Sequence, residues 1–192
     1  MFRQARTARW LGATAAIAAA TLSLVASAAW AGTTHGSKAT AVSACTTAEL
    51  GVWVAANQGQ AAAGTLYMPL EFTNISKQAC TLYGYPGVSA ISVTGAQLGG
   101  AASRDANVKA TTVTVAAGAT AYALLEYSNV YTSNCTPVTD KITSYELRVY
   151  PPNQTKADDA FFDLATCSAA GQNGFLRVRV IAAGPGILGS LG

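Results

Sequence analysis

Four cysteines constrain this chain more than any other feature. Cys45, Cys80, Cys135 and Cys167 all lie beyond an apolar N-terminal stretch, and no other cysteine occurs. An even number in an exported chain reads as two disulfides, whereas in a reducing compartment it would suggest metal or redox chemistry. Zinc fits poorly, because there is no Cys-x-x-Cys pair and the single histidine, His35, lies outside the cysteine-bounded region.

Export is legible at the N-terminus. Arg3, Arg6 and Arg9 precede an acid-free apolar run from Leu11 to Ala29, and Ala29-Trp30-Ala31 places small residues where a signal peptidase reads. The expectation is a secretory signal over residues 1–31, cleaved after Ala31. The run also approaches membrane-spanning length, so an uncleaved anchor is the alternative. Val42-Ser43-Ala44-Cys45 has the form of a lipoprotein box, but polar and small residues separate it from the apolar run. The chain has 12 basic and 9 acidic residues, and Arg3, Arg6 and Arg9 account for the whole excess. Residues 32–192 are therefore neutral, without a basic run, which removes the electrostatic case for nucleic-acid binding or for a membrane once the signal is gone.

Residues 32–44 are small, polar and without periodicity, a flexible lead. From Cys45 onward, short β-favouring runs alternate with Gly, Asn, Pro and Ser: 49–56, 66–74, 88–93, 111–115, 121–127, 144–150, 160–164 and 175–181. Tyr145, Leu147 and Val149 fall on one face of their run, with Glu146 and Arg148 on the other; Leu176, Val178 and Val180 oppose Arg177 and Arg179. No run keeps a helical apolar period, although Thr155 to Asp159 has the makings of a helical turn. The pattern predicts an all-β fold, an antiparallel immunoglobulin-like β-sandwich of about eight strands over residues 45–182. The glycine-rich residues 183–192 read as a disordered tail. Cys45 stands before the first strand and Cys80 after the second, so an antiparallel hairpin brings them together. Cys135 and Cys167 bracket a later pair in the same way. The expected pairing is Cys45–Cys80 and Cys135–Cys167, one of three connectivities, with each loop contributing roughly 3–4 kcal/mol in the chain-entropy account.

One stretch is unusually dense: Cys80-Thr81-Leu82-Tyr83-Gly84-Tyr85-Pro86-Gly87-Val88. Preceded by Phe72-Thr73-Asn74 and followed by Cys135-Thr136-Pro137 and Cys167, it resembles the hallmark of a family of exported actinobacterial proteins, domain of unknown function 4232. That pattern runs through Cys-x-Leu-x-Gly-Tyr-Pro-Gly, a glycine before an alanine-rich strand, and two further cysteines. Here Ala117-Gly118 stands where Pro-Gly is expected. The resemblance covers about residues 45–181 and implies a secreted or wall-associated β-sandwich without an established activity. In the block, Gly84 and Gly87 permit turns and Pro86 fixes the approach to the next strand. Tyr83 and Tyr85 are either core plugs or an exposed aromatic pair.

No catalytic set is evident. Without a histidine in the folded region there is no Ser-His or Cys-His arrangement, and paired cysteines leave no free thiol. Asp158, Asp159 and Asp163 form the densest acidic cluster, otherwise read as a solvated turn; no metal or cofactor is expected. The tyrosines are the surplus. Tyr127 and Tyr131, with Asn129 between them, form a polar-aromatic loop of the composition used for adaptable protein and glycan contacts. The candidate binding surface is Tyr83, Tyr85, Tyr127, Tyr131 and Asn129. The leading expectation is a secreted, non-catalytic module that binds a protein or glycan at the cell envelope. The alternatives are a carboxylate-dependent hydrolase and a carrier with a pocket between the sheets.

Overall fold

The computed structural model describes residues 41–128, 135, 140–169 and 175–186, all within one compact unit. Among these residues the fold is all-β, with two single-turn 3₁₀ segments, Thr47–Glu49 and Ala56–Gln58. Thirteen strands occur: β1 (Leu50–Val54), β2 (Gln60–Ala62), β3 (Thr65–Asn74), β4 (Cys80–Tyr83), β5 (Gly87–Ile91), β6 (Gln97–Leu98), β7 (Ser103–Arg104), β8 (Thr112–Val115), β9 (Thr120–Ser128), β10 (Lys141–Tyr150), β11 (Asp158–Cys167), β12 (Leu176–Val178) and β13 (Ala182–Ala183).

They form three sheets. The largest runs β1-β3-β9-β12-β7, with β2 beside β3 and β13 beside β9; the second runs β11-β10-β5-β6; and β4 pairs with β8 alone. Pairing is antiparallel except between β7 and β12. Alternation explains what is buried. Met68, Leu70 and Phe72 of β3 and Ala121, Ala123 and Leu125 of β9 face inward, where they meet Val88 and Ala90 of β5, Leu147 and Val149 of β10 and Leu164 of β11. Leu82, Val113 and Val115 bring the third sheet into the same cluster, so one continuous core joins all three. Burying such side chains fully contributes about 1.5–3 kcal/mol each.

The disulfides are Cys45–Cys80 and Cys135–Cys167. The second staples the β10–β11 hairpin, where Lys141 at the start of β10 lies opposite Cys167 at the end of β11. The first does something different from stapling the β1–β3 hairpin. Cys80 opens β4, which leaves β3 to pair with β8, so the cross-link ties the chain ahead of β1 to a separate sheet. Asn74 makes the same join without covalency. Fully buried, it donates from Nδ2 to the carbonyls of Val115 (2.9 Å) and Gln78 (2.7 Å), and its Oδ1 accepts from the Ser76 N–H at 2.9 Å.

Several expectations need correction. Tyr145 does not share the inner face with Leu147, because the register shifts between Ser144 and Glu146 and turns the ring outward. Buried Ser144 takes the inner place, its Oγ within hydrogen-bond distance of the Ile91 and Glu146 carbonyls. Residues 155–159 make no helical turn; Asp158 begins β11. At the front, Ser43 and Ala44 of the expected lead bridge to β4, with Thr81 N–H on the Ser43 carbonyl at 2.8 Å. At the back, order continues beyond residue 182: Ala182 and Ala183 pair with β9, and Gly186 packs against it. Gly186 has φ +65°, and a β-carbon there would stand 2.5 Å from Tyr122 Cγ, so only glycine fits.

Candidate functional site

β4 positions the first candidate side chain by simple alternation. Cys80 and Leu82 point to the core, so Thr81 and Tyr83 point away, and Tyr83 is 53% exposed. Gly84 then takes φ +99°, with no atom within reach of a would-be β-carbon, and turns the chain at once. Its carbonyl accepts from Ile181 N–H at 2.9 Å, which ties the turn to the core. Buried Pro86 leads into β5, while Tyr85 stays half-exposed between them.

Three further segments complete a cleft of about 490 Å³ around this turn. Tyr150, the last residue of β10, lies opposite Gly87, and its side chain packs beside it, at van der Waals distance from where a β-carbon would stand. The Pro151–Gln154 turn follows, closed by Gln154 N–H on the Pro151 carbonyl at 3.0 Å. Asn153 adopts φ +61° there, which asparagine tolerates better than most residues, and its Nδ2 donates to the Tyr83 carbonyl at 3.2 Å. Arg104, at the end of β7, places its guanidinium 5.6 Å from the Tyr85 ring centroid, a cation–π distance. The cleft is therefore lined by Tyr83, Tyr85, Tyr150, Arg104 and the amides of Asn153 and Gln154, with no carboxylate among its lining residues.

Of the expected surface, Tyr83 and Tyr85 line this cleft. Tyr127 is not part of this cleft. Its ring is buried in the core cluster and its hydroxyl donates to the Ala165 carbonyl at 2.9 Å, because inward alternation along β9 carries it between the sheets. Asn129 and Tyr131 lie outside the described residues. Tyr150, Arg104, Asn153 and Gln154 were not singled out for a binding role by sequence. Only the Pro-Pro-Asn turn signal marks the neighbourhood of Tyr150, Asn153 and Gln154, and nothing marks Arg104, since the β5–β10 and β7–β12 pairings that position them are long-range facts.

The carboxylates are arranged differently. Asp158 and Asp159 are successive residues of β11 and so point to opposite faces, and Asp159 is paired with Arg148 at 3.2 Å. Asp163 lines a separate depression of about 380 Å³ beside Leu66 and Tyr127, without a second carboxylate in its lining. Glu126 and Asp105, both buried, converge on Arg179, whose Nε lies 2.9 Å from Glu126 and 3.3 Å from Asp105. Glu71 sits on the outward face of β3, opposite Trp53 of β1 and Tyr122 of β9. Burial pushes its carboxyl above the usual range, opposed by a hydrogen bond from the Trp53 indole, and its Oε1 has no partner among the described residues. No group of three His, Cys, Asp or Glu side chains converges to hold a metal among the described residues.

Comparison with known proteins gives one match. A family described as "Domain of unknown function (DUF4232)" matches residues 45–181. No curated protein and no solved structure matches significantly. The matched span begins at the first cysteine and ends at Ile181, the residue that holds the Gly84 turn.

Proposed function

This chain belongs to the family described as domain of unknown function 4232, and on that footing we propose that it is an exported, non-catalytic, immunoglobulin-like binding module working at the cell envelope. Export is supported by the arginine-led apolar run ending at Ala29-Trp30-Ala31 and by two disulfides, which persist in oxidising compartments. Among the described residues no helix is long and apolar enough to cross a membrane.

The observation that carries the reading is the tyrosine cleft. Tyr83 and Tyr150 are 53% and 38% exposed, yet each is anchored at a strand end, so they offer large ring surfaces at little further entropy cost. A core-packing role explains neither. The envelope protein or glycan that binds would rest on these rings.

Co-sedimentation with purified cell wall of the producing organism tests this directly. Saturable binding is expected, weakened at least about tenfold in a Y83A/Y150A variant that keeps both disulfides and a native circular dichroism spectrum. Absence of pelleting, or undiminished pelleting of the double variant, overturns the proposal.

A further inference from the structure

Resting on the binding-module reading, we infer that the cleft takes an acidic glycan, a sugar chain bearing carboxylates. Arg104 is the reason. It is exposed, it is held over the Tyr85 ring at 5.6 Å, and it forms no ion pair among the described residues, unlike Arg148, Arg177 and Arg179. The acid next to it in sequence, Asp105, is turned away: Asp105 Oδ2 lies 3.3 Å from Arg179 and Oδ1 accepts from Asn107 N–H at 3.1 Å. Arg104 is also the sole charge among the residues lining the cleft. A cation within cation–π reach of Tyr85 and without a counter-charge among the described residues is suited to receive an anion, and the planar guanidinium matches a carboxylate fork to fork.

The rest of the lining selects the carrier of that anion. Tyr83 and Tyr150 present ring faces on which the C–H face of a pyranose packs, and their hydroxyls and the Gln154 amide are suited to sugar hydroxyls. A free phosphate or small carboxylate would use Arg104 and leave both exposed rings idle. A proline-rich peptide would use the rings and leave the cation idle. A carboxylated glycan engages both.

Titration calorimetry of the purified protein with oligogalacturonate, and with the same oligosaccharide methyl-esterified, tests the inference alongside cell-wall co-sedimentation. The acidic form is expected to bind, and esterification or R104Q to weaken it at least about tenfold, the loss of one charge-assisted contact. Raising the salt to about 0.5 M should weaken the wild type and leave R104Q little changed. Y83A should weaken both the acidic and the esterified oligosaccharide. Wall binding that survives R104Q and carboxyl esterification overturns the acidic class while leaving the module reading intact, as does preferential capture of a proline-rich peptide. Failure to bind the wall in any form overturns both.

Discussion

Replacing Asn74 by alanine removes the noncovalent counterpart of the first disulfide. The amide donates to two carbonyls and accepts one N–H, and the bond to Val115 is fully buried. Leaving that carbonyl unpaired costs about 1–3 kcal/mol. The Gln78 and Ser76 contacts are partly open to water, so about 0.5–1 kcal/mol each is appropriate. The total is about 3 kcal/mol, a loss of about 10 °C in melting temperature for a domain of this size. N74D is the informative companion. It keeps the shape but at neutral pH aims a carboxylate at two carbonyl oxygens, so it should cost at least as much as N74A. Thermal unfolding followed by circular dichroism at pH 7, with disulfides intact, measures both. An N74D variant melting within about 2 °C of wild type would falsify the donor geometry and with it the role of Asn74 as the joint between β3 and β8.

Two other perturbations test the buried charges. Among the described residues, R179M leaves Glu126 and Asp105 with only Arg177, 4.0 Å from Glu126, as a counter-charge. Because Arg179 is itself 39% exposed, the loss should fall below that of a fully buried pair, about 2 kcal/mol; a double-mutant cycle with E126Q that shows no coupling refutes the pairing. For Glu71, burial raises the folded carboxyl above its unfolded value, so the folded state holds the proton more tightly. The penalty is absent at low pH and grows as pH rises through the raised value. E71Q should therefore melt higher than wild type at pH 7 and level with it near pH 3.5, and a variant less stable at pH 7 contradicts the assignment.

Period-two alternation made much of the fold legible before any coordinates. The runs that became β1, β3, β5, β8, β9, β10 and β12 are apolar on one face, and strand order placed both disulfides. What escaped was set by pairing rather than by pattern. Cys80–Tyr83 reads as the connection after the second strand because four residues beside Gly84 and Pro86 carry little periodicity; only β8, some thirty residues on, makes it a strand. The bulge before Glu146 is equally silent, since it depends on how β10 meets both β5 and β11. Tyr127 was misplaced because its polar neighbours suggested a loop, whereas nine residues of unbroken pairing with β3, running to Ser128, carry the inward alternation of β9 as far as Tyr127.

The same contrast explains where the candidate site lies. Each cleft residue stands one position beyond, or on the opposite face from, a residue that the core requires: Tyr83 after Leu82, Tyr150 after Val149, and Tyr85 before buried Pro86. The core therefore fixes the positions of the three rings without drawing on their chemistry. Substituting a cleft tyrosine should alter binding at small cost to stability, whereas Leu82 or Val149, fully inside the cluster, should show the reverse. That separation is what a scaffold needs if one fold is to carry different ligands. It also places the four cysteines and Asn74 on the structural side of the division, and leaves Arg104, without an ion pair among the described residues, outside what the core requires.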